Sequence, residues 1–198
     1  MSFSTVSQFE SALAKFWNAP YAVATDCCTH AIELSLRYTA SVCVTVPKYT
    51  YISVPMTLEK LGIDWQFVDL EWSDYYRLGN TRIIDSAVYW KQSGYISGSL
   101  QCLSFQFKKP LNLGRGGAVL CDNKSDYDTL KAMAYDGRDQ NSTTYWGDQC
   151  ISTMGYHYYM TPETAQLGIE RLPGSLDRAD KQWSWQDYPD CSRMPVFG

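Results

Sequence analysis

The 198-residue sequence has only two histidines, no Cys-x-x-Cys pair among its seven cysteines (27, 28, 43, 102, 121, 150 and 191), and no run of lysines or arginines. Zinc-ligand spacing is therefore missing, and an odd set of cysteines reads as reduced thiols rather than a disulfide framework. Seventeen basic residues against twenty-one acidic ones give a net charge of −4, which argues against a nucleic-acid partner. No apolar run approaches the ~20 residues of a membrane span. The start, Met1-Ser2-Phe3-Ser4-Thr5, has neither the basic nor the apolar region of a secretory signal. A cytoplasmic protein without membrane contact is the expectation. Present instead is a globular balance, 45% apolar and 19% charged, rich in rings: fifteen Tyr, seven Trp and seven Phe. Such rings fill a core or line a site for a flat ligand. At roughly 150 residues per domain, the length fits one domain and a remainder.

Phe9, Leu13, Phe16 and Trp17 stand at helical spacing, and with Ser7 as candidate N-cap they predict a first helix over 7–17, ended before Pro20. Tyr21-Ala22-Val23-Ala24 reads as a strand, and the polar turn at 25–29 opens a second helix through 37 or 38. A strand at 42–46 stopped by Pro47, a helix at 52–61 closed by Gly62 and a strand at 65–68 follow. This alternation predicts an α/β fold with a mixed, mostly parallel sheet flanked by helices. Residues 70–84 carry little periodicity and read as mostly loop before a short strand at 81–84 that runs into Asp85. Strands around 101–107 and 116–121, a helix at 127–135 and a long polar loop at 137–154 come next. Thr161-Pro162-Glu163 then starts a helix running to Leu172. The expected division is a domain of 1–174 and a tail of 175–198 packed by Trp183 and Trp185.

Three places could carry chemistry. Asp26-Cys27-Cys28-Thr29-His30 lies where a strand gives way to a helix, so free backbone N–H groups and the helix dipole converge on an anion; the plainer reading is that Thr29 caps the helix. Asp85 closes a buried strand, where a carboxylate could hold a proton on a heteroaromatic nitrogen or simply cap a helix. Lys109 follows the strand ending in Ser104-Phe105-Gln106-Phe107, and an amine held in a partly dry site becomes nucleophilic and able to form a Schiff base. Lys108 competes for that role, and alternation along a continuing strand would let only one of the two face the site. An anion-binding helix start, a strand-end acid and a later lysine are together the parts that hold pyridoxal phosphate by its phosphate, ring nitrogen and aldehyde.

The sequence also resembles the sugar aminotransferases of the DegT/DnrJ/EryC1/StrS group, pyridoxal-phosphate enzymes of fold type I. Ser104-Phe105-Gln106-Phe107-Lys108-Lys109 through Gly114-Arg115-Gly116-Gly117 is similar to that group's Ser-Phe, Lys and Gly-Glu-Gly-Gly segment, with Arg115 in place of Glu. Ile83-Ile84-Asp85-Ser86-Ala87 resembles the strand whose Asp meets the pyridine nitrogen, with Val88 where a Gln usually contacts the ring hydroxyl. Cys27-Cys28-Thr29-His30-Ala31 resembles the phosphate turn, Cys28 replacing Gly. Pro47-Lys48-Tyr49-Thr50-Tyr51 resembles the motif whose aromatic residue stacks on the cofactor. Gly155-Tyr156-His157-Tyr158-Tyr159-Met160-Thr161 resembles the element that reaches the neighbouring subunit's site, His157 and Tyr159 replacing Asn and Arg.

The resemblance implies a shortened version of the large domain of aspartate-aminotransferase-like enzymes, with the C-terminal small domain largely absent. It implies a homodimer with shared active sites, in which Lys109 and Asp85 are catalytic. Cys28, Thr29, His30, Tyr51, Asp85, Val88, Ser104, Lys109, His157 and Tyr159 are then the cofactor-binding positions. The implied reaction moves an amino group from a donor, glutamate, to a nucleotide-linked keto-sugar. Two other outcomes stay open: a dimeric cofactor- or sugar-nucleotide-binding protein that does not turn over, and other pyridoxal-phosphate chemistry such as dehydration, against which the lysine argues.

Overall fold

The computed structural model describes residues 2–179 and 181–198. Five strands form one sheet in the order β1 (Tyr21–Thr25), β7 (Gly117–Cys121), β6 (Leu100–Ser104), β5 (Ile83–Asp85) and β4 (Tyr76–Arg77). A parallel pair, β2 (Cys43–Pro47) and β3 (Asp64–Val68), forms a second sheet. Helices α1 (Phe3–Trp17), α2 (Cys28–Tyr38), α3 (Ser53–Leu61), α4 (Lys124–Ala134) and α5 (Pro162–Arg171) surround them.

The sheet is buried on both faces, and strand alternation sorts its side chains into two cores. Ala22, Ala24, Leu103, Ala118 and Leu120 join Phe9, Leu13 and Trp17 of α1 and Ala165 of α5. Val23, Cys102, Val119 and Cys121 face the other way, toward Ile32, Leu34 and Leu36 of α2 and Leu130 and Met133 of α4. The sequence shows β1 and β7 as nearly continuous apolar runs for that reason, while β6 buries Gln101 among its apolar residues.

The mixed α/β architecture matches expectation, but the main sheet is less parallel than expected. Among the described residues only β5 and β6 pair in parallel within it, while β1 with β7, β7 with β6, and β4 with β5 are antiparallel. Strand β7 returns antiparallel between β1 and β6, and at the other edge the aperiodic segment after Asp69 adds the third antiparallel pair. Instead of a parallel strand bridging β2 to β5, it supplies the two-residue β4, which turns back along β5, and then Gly79. Gly79 has φ +51° and sits so close to β2 that a Cβ there would fall 2.8 Å from the Thr45 amide nitrogen.

Several element ends also differ. Helix α1 starts at Phe3 rather than Ser7, with Ser2 at the cap position and no side-chain cap. Strand β6 ends at Ser104, not 107, and β5 spans Ile83–Asp85 rather than 81–84. Helix α4 begins at Lys124, capped by the Asn123 side chain. No helix among the described residues is long and apolar enough to cross a membrane.

Candidate active site

The register brings the carboxyl ends of β1, β5 and β6 to one edge, since Thr25 and Ser104 both lie opposite Gly117 and Asp85 opposite Cys102. Ligands bind at this edge in open α/β sheets. Here it forms a cavity of about 730 Å³ whose walls include Cys28, Thr29, His30, Tyr51, Asp85, Val88, Ser104 and Lys109. Its floor depends on a close backbone approach: a Cβ on Gly117 would fall 2.4 Å from the Cys27 carbonyl carbon. Only glycine lets β7 start beneath the turn that opens α2.

Asp85 is 6% exposed. Its Oδ1 accepts from the Ala87 amide at 2.9 Å and its Oδ2 from the Tyr76 hydroxyl at 2.7 Å. Burial pushes its carboxyl above the usual carboxylate range, opposed by those two hydrogen bonds and by the charge of Lys109. Lys109 is part-buried, and burial lowers its amine while the charge of Asp85 pulls it back up. Its Nζ lies 5.7 Å from the Trp183 ring centroid. Lys108 also lines the cavity, contrary to the strict alternation expected of a strand. The strand has ended at Ser104, and the chain turns, with the Lys109 amide donating to the Gln106 carbonyl at 2.8 Å. What separates the two lysines is burial: Lys108 is exposed, over the Phe107 ring.

At the start of α2 the cap is Cys27, whose Sγ accepts from the His30 amide at 3.4 Å. The alternative role for Thr29 as helix cap is therefore overturned; its hydroxyl instead pairs with Ser53 at 2.8 Å. His30 Nδ1 lies 2.6 Å from Asp26, and its ring stacks on Tyr158 at 3.7 Å. Burial opposes charging this imidazole, but its bonds to Asp26 and Cys27 prevail and raise its pKa to about 9. Arg115 reaches the other Asp26 oxygen at 2.9 Å. A helix start, His30 and Arg115 thus gather at one end of the cavity, the two side chains sharing the single Asp26 carboxylate, which leaves net positive charge there as a setting for an anion.

Tyr51 lines the opening, 62% exposed. His157 and Tyr159 do not line this cavity. His157 is exposed and bonds Asp136 at 3.0 Å, and Tyr159 packs edge-on against Phe3 and Tyr135. Sequence reasoning gave no place in the site to Thr50, Trp72, Tyr76, Tyr188 and Trp183, the last expected only to pack the tail, yet all five line the cavity. The last two belong to the tail, which is tied down by the Trp185 amide to the Trp72 carbonyl at 3.0 Å and the Cys191 amide to the Lys48 carbonyl at 2.8 Å. Aromatic richness was their only signal, and it does not single out positions.

The chain thus has a mixed sheet with a lysine and a buried acid on one cavity at its carboxyl edge, in a fold it shares with solved aminotransferases. The chain is similar to AtS13 from Actinomadura melliaura, with a TM-score of 0.78 and 19% identity over 89% of this chain and 61% of that one. It is also similar to 3-amino-5-hydroxybenzoic acid synthase, with a TM-score of 0.70 and 22% identity over 88% and 56%. The sugar aminotransferase CalS13 from Micromonospora echinospora gives a TM-score of 0.70 and 17% identity over 89% and 61%. The chain belongs to the DegT/DnrJ/EryC1/StrS aminotransferase family, whose model matches residues 1–88 and 84–185. It spans about 60% of the length of the solved relatives above. No curated protein matches it.

The residues present fit the family's cofactor by donor chemistry. A cationic end with hydroxyls suits a phosphate, a buried carboxylate suits a protonated ring nitrogen, and a part-buried amine suits an aldehyde.

Proposed function

We propose that the protein is a pyridoxal-phosphate-dependent aminotransferase that moves an amino group from a donor, glutamate in our reading, to a nucleotide-linked keto-sugar. The observation that carries this reading is the sharing of one cavity by Lys109 and Asp85, each feeling the other's charge. When bound, pyridoxal phosphate supplies the electron sink that makes a proton on the donor's Cα acidic. Thr29, Ser104, His30 and Arg115 hold the phosphate end. The Asp85 carboxylate would keep a proton on the ring nitrogen, and Tyr51 would offer an aromatic face for the ring to stack on. Lys109 Nζ, its basicity moderated by burial, takes the proton from the donor's Cα. Trp183 and Tyr188 limit water on the side facing Lys109. The buried Cys28 thiol, whose pKa burial raises well above the ordinary value, stays neutral, so the part Cys28 takes at the phosphate end is that of its backbone at the first position of α2. A homodimer, in which His157 and Tyr159 contribute to the partner's site, belongs to the same proposal.

The test is to purify the protein with pyridoxal phosphate, record the visible band, and fix it with borohydride before peptide mapping. Label on Lys109, lost in Lys109→Ala, is the expected result. A colourless protein, or colour unchanged in that variant, overturns it. One observation favours a second reading, a cofactor-binding protein without turnover: Val88, at the ring-hydroxyl position, lines the cavity and cannot hydrogen-bond. Conversion of the bound cofactor by glutamate to its amine form separates the two readings.

A further inference from the structure

We propose that Tyr76 is the positioning residue for Asp85: its hydroxyl, itself oriented by Thr50, fixes the carboxylate that faces the cavity and holds it there as an anion. The inference rests on the proposed role of Asp85 as partner of the ring nitrogen. It assigns the protein groups that make that role workable in a buried place.

The geometry gives the chain of donors a direction. A phenol has one proton to donate. Tyr76 gives it to Asp85 Oδ2 at 2.7 Å, so in the contact between Thr50 Oγ1 and the Tyr76 oxygen, at 2.5 Å, the threonine hydroxyl is the donor. The order Thr50 to Tyr76 to Asp85 follows. All three are nearly sealed from water, at 1%, 5% and 6% exposed. Among the described residues Tyr76 is the only donor to Oδ2, and the Ala87 amide is the only donor to Oδ1. A buried carboxylate with one donor removed shifts toward its neutral form. Neutral, it could no longer hold a proton on a ring nitrogen by ion pairing.

The other titratable groups that feel Asp85 are Lys109, Cys28, Cys102 and Tyr188. Of these only Lys109 brings positive charge. Burial drives both thiols and the Tyr188 phenol toward their neutral forms, and the same holds for Tyr76, which therefore keeps its proton to donate. The placement is a product of this chain's unusual middle segment. Strand β4 sets Tyr76 directly across from Asp85, and Thr50 comes from the loop after β2. The hydroxyl chain thus crosses the place where the two sheets are not joined by strand pairing.

The experiment follows the Asp85 carboxyl by carbon-13 NMR across a pH titration of the full chain without added cofactor, in the native protein, Tyr76→Phe and Thr50→Val. Thermal unfolding of each variant is recorded alongside. The expected result is a rise of the Asp85 midpoint by about one pH unit in Tyr76→Phe and a smaller rise in Thr50→Val. An unchanged midpoint in Tyr76→Phe, even with a lowered Tm, makes Tyr76 a purely structural residue and overturns the proposal. Should Tyr76→Phe fail to fold, Thr50→Val decides by the same criterion. Titration with pyridoxal phosphate adds a second readout, with binding about tenfold weaker expected in Tyr76→Phe. If the native protein takes up no pyridoxal phosphate, the functional reading falls, while the carboxyl titration still decides whether Tyr76 governs Asp85.

Discussion

Lys109 and Lys108 are neighbours with the same chemistry, and burial alone separates them. One amine is part-buried near Trp183 and Asp85, and the other stands in water over Phe107. The expected consequence is that Lys108→Ala leaves cofactor attachment intact while Lys109→Ala abolishes it, as read from the borohydride-fixed peptide. At the phosphate end, Thr29→Ala and Ser104→Ala are each expected to weaken pyridoxal phosphate binding by roughly 1–3 kcal/mol, measured by titrating the visible band. No change in either would leave the turn with a structural role alone. The motif residues were legible one by one, because strand-end acids, helix-opening turns and strand-end lysines carry local signals. Tyr76 was not. Nothing in a segment without periodicity says which tyrosine will lie opposite an aspartate nine residues later.

The α2 start shows how an element sets the charge of its own first turn. Burial works against charge on both Asp26 and His30, yet their mutual hydrogen bond, with Arg115 on the second Asp26 oxygen, lowers the carboxyl and raises the imidazole to about 9. The raised imidazole contributes stability that is complete below its ordinary value of 6.5 and is lost as pH climbs toward 9. The lowered carboxyl contributes stability that is complete above its ordinary value of 3.8 and is lost as pH falls below it. Urea unfolding without cofactor should therefore show the native protein losing of order 1–3 kcal/mol between pH 6 and pH 9 that His30→Gln does not lose. Equal losses in the two proteins would remove the imidazole from the account. The strand beneath is equally constrained. Gly117→Ala drives a methyl into the Cys27 and Cys28 backbone, so a loss of about 1–3 kcal/mol, seen as a lower urea midpoint, is expected. Helix and strand types were readable from period and turn residues. Their ends were not, since the end of β6 at Ser104 is set by a turn, and the start of α1 at Phe3 by packing of Phe3 against Tyr135 and Tyr159.

Across the whole molecule the cavity is assembled from parts far apart in the chain: the turn at 26–30, the loop after β2, the ends of β5 and β6, and the tail from Trp183 to Tyr188. Sedimentation of the cofactor-loaded protein is expected to show a dimer, and a monomer at all concentrations would remove the cross-subunit role proposed for His157 and Tyr159. Trp183→Ala is expected to speed exchange of bound pyridoxal phosphate with added free cofactor, because the ring beside Lys109 closes that side of the cavity. Unchanged exchange would make the tail a bystander. The sequence by itself determined the α/β class, the order of the helices and of every strand but β4, and the candidate acid, lysine and anion turn, because period, caps and short motifs act over a few residues. Only the tertiary structure decided the antiparallel turn of β4, the hydroxyl chain to Asp85, which lysine is partly dry, and which aromatic residues wall the site. Those depend on strand register and burial between segments tens of residues apart, and no local pattern encodes them.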